Sequence, residues 1–186
     1  VLNPKQAFFL LFFTVIAVNI REIKFKNFDI YKKIIPLSVG VLSGIIIGSV
    51  LFHKIENNLI SQMIGFTIIL AVIINLTGLK IKQTLLLNNF FSICYGFFCG
   101  IIGGMTTLVG PLIAVYLVSL KLSKDEFSEL ISLTIFACLA PIYSIFFIYQ
   151  PIIFNDFIIS LCFAFPTVLM QFLGFKIRKK ITPGNF

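Results

Sequence analysis

The chain has 186 residues, of which 59% are hydrophobic and 12% charged, with 23 Phe, no Trp and a mean hydropathy of +1.06. A soluble domain needs about a quarter of its residues charged to wet its surface, so this composition excludes a water-soluble enzyme, a disordered tail and a disulfide scaffold. At roughly 20 apolar residues per crossing, there is room for about seven transmembrane or half-membrane helices in one all-α, polytopic domain, 1–186. The net charge of +8 is confined to short tracts between apolar runs. That is the pattern of membrane-surface loops and not of a nucleic-acid interface.

In chain order the apolar runs are Ala7–Ile20, Ile34–Phe52, Leu59–Leu79, a long stretch Leu85–Leu120, then Phe127–Tyr149 and Phe157–Phe175. His53 follows the second run and is read as a loop residue. The four cysteines, Cys94, Cys99, Cys138 and Cys162, lie inside apolar runs without a Cys-x-x-Cys pair and read as small buried hydrophobes, with no metal or cofactor expected.

The Leu85–Leu120 stretch is too long for one crossing and carries Gly103, Gly104, Gly110 and Pro111 in its middle. It is either one over-long helix or a broken hairpin, and sidedness decides. With a hairpin, 13 of the 15 basic residues face one side, leaving only Lys5 and Lys54 opposite; with one crossing the division is seven to eight. Cytoplasmic loops carry the excess of Lys and Arg. The hairpin is therefore expected, with the Arg21–Lys33 loop and the C-terminus cytoplasmic in a multi-pass plasma (inner) membrane protein.

The chain also resembles itself. Leu2–Ala7 leads into Thr14 and Ala17 as Leu122–Phe127 leads into Thr134 and Ala137, an offset of 120 residues. The charge map makes these two helices cross in opposite senses, as an inverted repeat requires, and such repeats are common in secondary transporters. This divides the domain into 1–79, the remainder of a first repeat, and 80–186, a second. A hairpin before Val1 and a helix after Phe186 would complete the two halves; a removed signal peptide is the rival account of the start.

The segment Tyr95–Pro111 is the most informative. Gly96, Gly100 and Gly104 share one helix face, and Gly40, Gly44 and Gly48 form a second stripe; both read as close-packing surfaces. Gly103 to Pro111 is poor material for a continuous helix. A break here would aim the amides of a helix starting near Pro111 into the membrane interior, where they attract anions, with the hydroxyls of Thr106 and Thr107 as further donors. The bland alternative is a packing kink without a ligand. Thr14 and Thr134 either face a central path or bond their own helices. Glu129 reads as a first-turn acid complementing a helix dipole, Asn75, Asn88 and Asn89 as interhelical hydrogen-bonding groups, and Pro36, Pro141 and Pro166 as kinks.

These residues resemble the sulfite exporter TauE/SafE family of membrane transporters. The similarity lies in Gly96, Gly100, Gly103 and Gly104, then Gly110-Pro111, the helix Leu112–Leu120 and the polar turn Lys121–Glu126, together with the opening Leu2–Ala7. Thr107 and Val109 stand where the family's pattern carries Gly. The resemblance implies transport of a small sulfur-containing anion such as sulfite, a sulfonate or thiosulfate, and no enzymatic activity. The break and the repeat themselves place the candidate substrate site at Gly103, Gly104, Thr106, Thr107, Gly110 and Pro111, with Thr14 and Thr134 as the repeat-matched pair, and a homodimer is left open. A membrane scaffold or insertase without a transported substrate is the alternative; an intramembrane enzyme lacks a nucleophile with its base.

Overall fold

The computed structural model describes residues 8, 10–24, 28–77, 83–86, 88–120, 122–149 and 154–180. These form helices α1 (Phe12–Glu22), α2 (Phe28–Lys54), α3 (Asn57–Thr77), α4 (Gln83–Leu86), α5 (Asn89–Thr106), α6 (Val109–Ser119), α7 (Lys124–Tyr149) and α8 (Phe154–Lys180). Five of them, α2, α3, α5, α7 and α8, are long and apolar enough to cross a membrane, and α6 is a shorter apolar helix. The all-α, polytopic expectation therefore holds. The opening Leu2–Ala7, the basic residues Lys26, Lys80, Lys82 and Lys121, and the side chain of Asn75 lie outside the described residues.

The long apolar run is indeed broken. α5 ends at Thr106 and α6 starts at Val109, with Thr107 and Leu108 between them. Pro111 sits in the first turn of α6, where its missing N–H takes nothing from the helix ladder. Pro36, Pro141 and Pro166 are accommodated inside α2, α7 and α8.

The two glycine stripes face each other across the α2–α5 contact. A Cβ added at Gly40 would stand 2.1 Å from the Ile93 carbonyl oxygen, at Gly44 2.2 Å from that of Phe97, and at Gly48 2.3 Å from that of Ile101. On α5, Gly96 and Gly100 meet the carbonyls of Leu37 and Val41 at 2.4 and 2.3 Å in the same sense. Positions rise together on both helices, so α2 and α5 run parallel.

α1 packs between α7 and α8. The Tyr143 hydroxyl donates to the Phe8 carbonyl (3.1 Å) and the Lys24 amide donates to Glu129 Oε1 (3.0 Å), so α1 and α7 are antiparallel. Against α8 the order is parallel: the Phe13 N–H reaches Ser160 Oγ (3.3 Å) and Gln171 Nε2 donates to the Val18 carbonyl (2.9 Å). The main core joins Leu37, Val41 and Ile45 of α2 to Ile113, Tyr116 and Leu117 of α6 and to Leu130 and Cys138 of α7. α3 and α8 turn large apolar side chains outward, among them Phe66, Leu76, Phe165 and Met170, as suits helices solvated by lipid tails.

Three local readings are corrected. Glu129 lies in the second turn of α7, buried, where it accepts hydrogen bonds from the Lys24 amide and the Tyr31 hydroxyl. The α7 start is secured instead by a capping box, with Glu126 Oε2 accepting from the Ser123 amide (2.9 Å) and Ser123 Oγ from the Glu126 amide (3.4 Å). Asn88 acts within its own helix, its Oδ1 capping α5 by accepting from the Phe90 and Phe91 amides at 2.9 and 3.4 Å. His53 belongs to the last turn of α2 and not to a loop.

Candidate functional site

The break between α5 and α6 is shaped by two threonines with different tasks. Thr106 is fully buried; its hydroxyl donates to the Ile102 carbonyl (2.8 Å) and accepts from the Leu108 amide (3.3 Å), so it closes the end of α5. Thr107 takes the left-handed conformation, φ 59°, as the C-cap of α5. Only Gly adopts that conformation without strain, and a β-branched residue is among the worst suited to it. The left-handed turn that ends α5 is thus made here by a threonine.

Because Leu108 offers no side-chain oxygen, the N-terminus of α6 has no side-chain cap. Its amides point where the chain has just reversed. An α-helix end of this kind carries roughly half a positive elementary charge. Two bonds hold the half-helix in place against α5: Tyr95 donates to the Leu112 carbonyl (2.8 Å), and the Ser92 and Tyr116 hydroxyls pair at 2.8 Å.

A cavity of about 290 Å³ opens against this terminus. α6 and its lead-in contribute Thr107, Leu108, Val109 and Gly110; α5 contributes Gly104; α1 contributes Asn19; α2 contributes Ser49 and His53; and α7 contributes an apolar wall with Cys138 and Tyr143. Most of the lining is apolar with a few convergent polar groups, the usual make-up of a small-molecule site. Ser49 is 3% exposed and its Oγ has no hydrogen-bond partner among the described residues. A buried hydroxyl left unsatisfied costs about 1–3 kcal/mol, and this one lies on the cavity wall. Asn19 is buried too, spending one amide hydrogen on the Val15 carbonyl (2.8 Å) and keeping a second.

Of the expected site residues, the cavity unites Gly104, Thr107 and Gly110. Gly103 instead abuts Val109, whose Cγ2 would lie 2.2 Å from an added Cβ, so it allows the hairpin to close. Pro111 faces a groove against Thr67, Ala71 and Val72 of α3. Thr106 serves the backbone, Thr134 donates to the Leu130 carbonyl of its own helix (2.8 Å), and Thr14 holds a buried Oγ1 away from the cavity wall. Asn19, Ser49 and His53 are the polar members that sequence reasoning did not select. Ser49 carried a signal, since it follows Gly48 and so lies beside the stripe that brings α2 onto α5. Asn19 is the lone amide of a short apolar run.

Neither a curated protein nor a solved structure matches the chain. The family model described as sulfite exporter TauE/SafE matches residues 2–186, all but the first residue. That family consists of membrane transporters of sulfite-type anions and not of enzymes, in keeping with five membrane-length helices around a half-helix that ends on a small cavity. On this match the chain belongs to the sulfite exporter TauE/SafE family.

Proposed function

We propose that the chain carries a small sulfur-containing oxyanion, of the sulfite, sulfonate or thiosulfate class, across the plasma (inner) membrane by alternating access. The anion binds in the cavity at the start of α6. The observation that carries this reading is the meeting of an uncapped helix N-terminus with the buried, unpartnered Ser49 Oγ on one cavity wall. The amides of Val109 and Gly110, the Thr107 and Ser49 hydroxyls and the spare Asn19 hydrogen are all donors, and no Asp or Glu is among the described residues lining the cavity. That chemistry selects an anion with several acceptor oxygens.

The antiparallel packing of α1 and α7 supports the inverted-repeat organisation, 1–79 against 80–186. In this reading His53 and Lys54 end on the outer side and the Arg21–Lys33 loop on the cytoplasmic side, following the charge bias. Proteoliposomes containing the protein should exchange sulfite with the medium above the rate of empty vesicles. Gly110→Leu is the informative variant, because an added Cβ there meets only Ile135 Cδ1 at 3.4 Å and the longer side chain would grow into the cavity. It should abolish flux with the protein still folded and inserted. Unaltered flux in Gly110→Leu removes the site assignment, and absence of flux with sulfite, thiosulfate and a sulfonate removes the function.

A further inference from the structure

We infer that the cavity is built for a straight-chain alkanesulfonate, with the oxyanion head at the start of α6 and the carbon chain along the wall formed by α1 and α7. The inference rests on the anion-carrier reading and adds which of the candidate anions the site prefers and which residues set that preference.

The cavity is too large and too apolar for a bare inorganic anion. It encloses about 290 Å³, room for about ten atoms at the roughly 30 Å³ that a water molecule takes in the liquid. Sulfite has four non-hydrogen atoms and thiosulfate five, so either leaves about half of the space or more to water against apolar walls, where a water finds too few polar partners to be held. A sulfonate head also takes four, and the remainder fits about six carbons.

The lining divides by character along its length. α1 presents Phe8, Leu11, Val15 and Asn19 to the cavity, and α7 presents residues from Ile135 to Phe146. The two helices are antiparallel, so Asn19 stands toward Ile135 and Phe8 toward Phe146. Gly110 is level with Ile135, whose Cδ1 would lie 3.4 Å from an added Cβ, which puts the Gly110 amide and Asn19 at the same end. At the other end the Phe52 ring meets those of Phe8 at 5.3 Å and Phe146 at 6.4 Å. Ile135 and Phe146 are about 16 Å apart along the helix at 1.5 Å per residue. Drawn out over that length, the volume is a channel roughly 5 Å wide, the gauge of one unbranched carbon chain whose atoms keep about 3.5–4.0 Å from the walls. Leu11 and Val15 line its middle from one side, and Leu139 and Ile142 from the other. The apolar stretch stops at the ring end, where the Tyr143 hydroxyl is spent on the Phe8 carbonyl (3.1 Å) and His53 lies edge-on to Phe146.

Charge points the same way. The N-terminus of α6 supplies roughly half an elementary charge, and no Lys or Arg is among the described residues lining the cavity. A sulfonate carries a single negative charge and thiosulfate two, so the sulfonate needs less compensation when drawn out of water. Burial of its chain adds the affinity that the head alone does not supply.

The test measures binding of the series from methanesulfonate to decanesulfonate, with sulfite, thiosulfate and 1-hexanol alongside, to the purified protein in nanodiscs, with the signal of empty nanodiscs subtracted. Affinity should rise about fourfold per methylene, the effect of burying one such group, up to about six carbons, and then level off. Val15→Phe, which blocks the middle of the channel, should flatten the rise. Ser49→Ala should weaken every member of the series by a similar factor and keep the rise. Sulfonate binding that is independent of chain length, that keeps rising to decanesulfonate, or whose rise survives Val15→Phe overturns the inference and leaves the carrier reading standing. Binding of 1-hexanol as tight as that of hexanesulfonate, or failure of sulfite, thiosulfate and every sulfonate to bind, overturns both.

Discussion

Replacing Gly44 by alanine tests whether the α2–α5 contact is the rigid spine of the protein. The added Cβ would lie 2.2 Å from the Phe97 carbonyl oxygen, 2.9 Å from the Ile101 nitrogen and 3.0 Å from the Gly100 Cα. Every one of these atoms is backbone, so no rotamer change relieves the overlap and one helix must withdraw from the other by about an ångström. A gap of that size forfeits a quarter to a half of the dispersion attraction of each contact it opens. Overpacking of a well-ordered interior costs about 1–3 kcal/mol, and a clash against backbone belongs at the upper end. The gain in helix propensity from Gly to Ala, about 1 kcal/mol, offsets part of this. Gly65→Ala supplies the control, since nothing lies within 4 Å of a Cβ added there and only the propensity gain remains. In detergent, thermal unfolding followed by loss of the monodisperse chromatographic peak should place Gly44→Ala about 1–2 kcal/mol below wild type and Gly65→Ala up to about 1 kcal/mol above it. Equal midpoints for the two variants would refute the interlock.

Thr107→Gly should raise stability: the left-handed conformation costs a non-glycine residue about 1–2 kcal/mol, of which the greater unfolded-state freedom of Gly returns about 0.4–1. A lowered unfolding midpoint would count against strain at the break. Glu129→Ala should cost about 2 kcal/mol by leaving the Lys24 amide and the Tyr31 hydroxyl without their acceptor, and Glu129→Gln clearly less; equal losses in the two variants would show that the carboxylate's acceptor role is unimportant. For sidedness, a cysteine at Lys54 should react with a membrane-impermeant maleimide in intact cells and one at Lys33 should not, in a background with the native cysteines replaced. The reverse pattern would invert the assigned orientation.

The fold was legible wherever charge or small residues acted collectively. Placing thirteen basic residues on one side called for a hairpin, and α5 and α6 do separate between Thr106 and Val109. The stripes at Gly40, Gly44 and Gly48 and at Gly96, Gly100 and Gly104 marked close packing, and the structure adds that each is the other's partner. What stayed hidden depends on relations between distant helices. The sequence distance between Thr106 and Thr107 is one residue, yet one hydroxyl is consumed by the ends of the break while the other residue borders the cavity. His53 was misplaced because the hydrophobic run stops at Phe52, whereas the helix continues through Lys54. Helix ends follow backbone hydrogen bonding and not hydropathy. Glu129 looked like a dipole partner because the true N-terminus of α7, fixed by Ser123 and Glu126, lies earlier than the start of the apolar run.

The cavity has two walls of different mechanical character. On one, α2 meets α5 backbone to backbone through the glycines, and α5 holds α6 through the Tyr95 and Tyr116 hydrogen bonds. Such a contact has no side-chain freedom to absorb a displacement, so the α6 amides keep their orientation relative to Ser49 and Gly104. The opposite wall belongs to α1 and α7, joined by rings: Phe12 meets Tyr143 at 4.5 Å and Phe147 at 6.2 Å, both edge to face, and Phe13 packs on Phe157 of α8 at 5.9 Å. Edge-to-face pairs tolerate a range of offsets at little cost, so the softer motion these contacts allow is a shift of α1 against α7 and the glycine-locked unit. In the proposed cycle this places every donor but Asn19 on the wall that stays fixed. Access to them then falls to the wall that can slide, and a change of access need not disturb the geometry that confers selectivity.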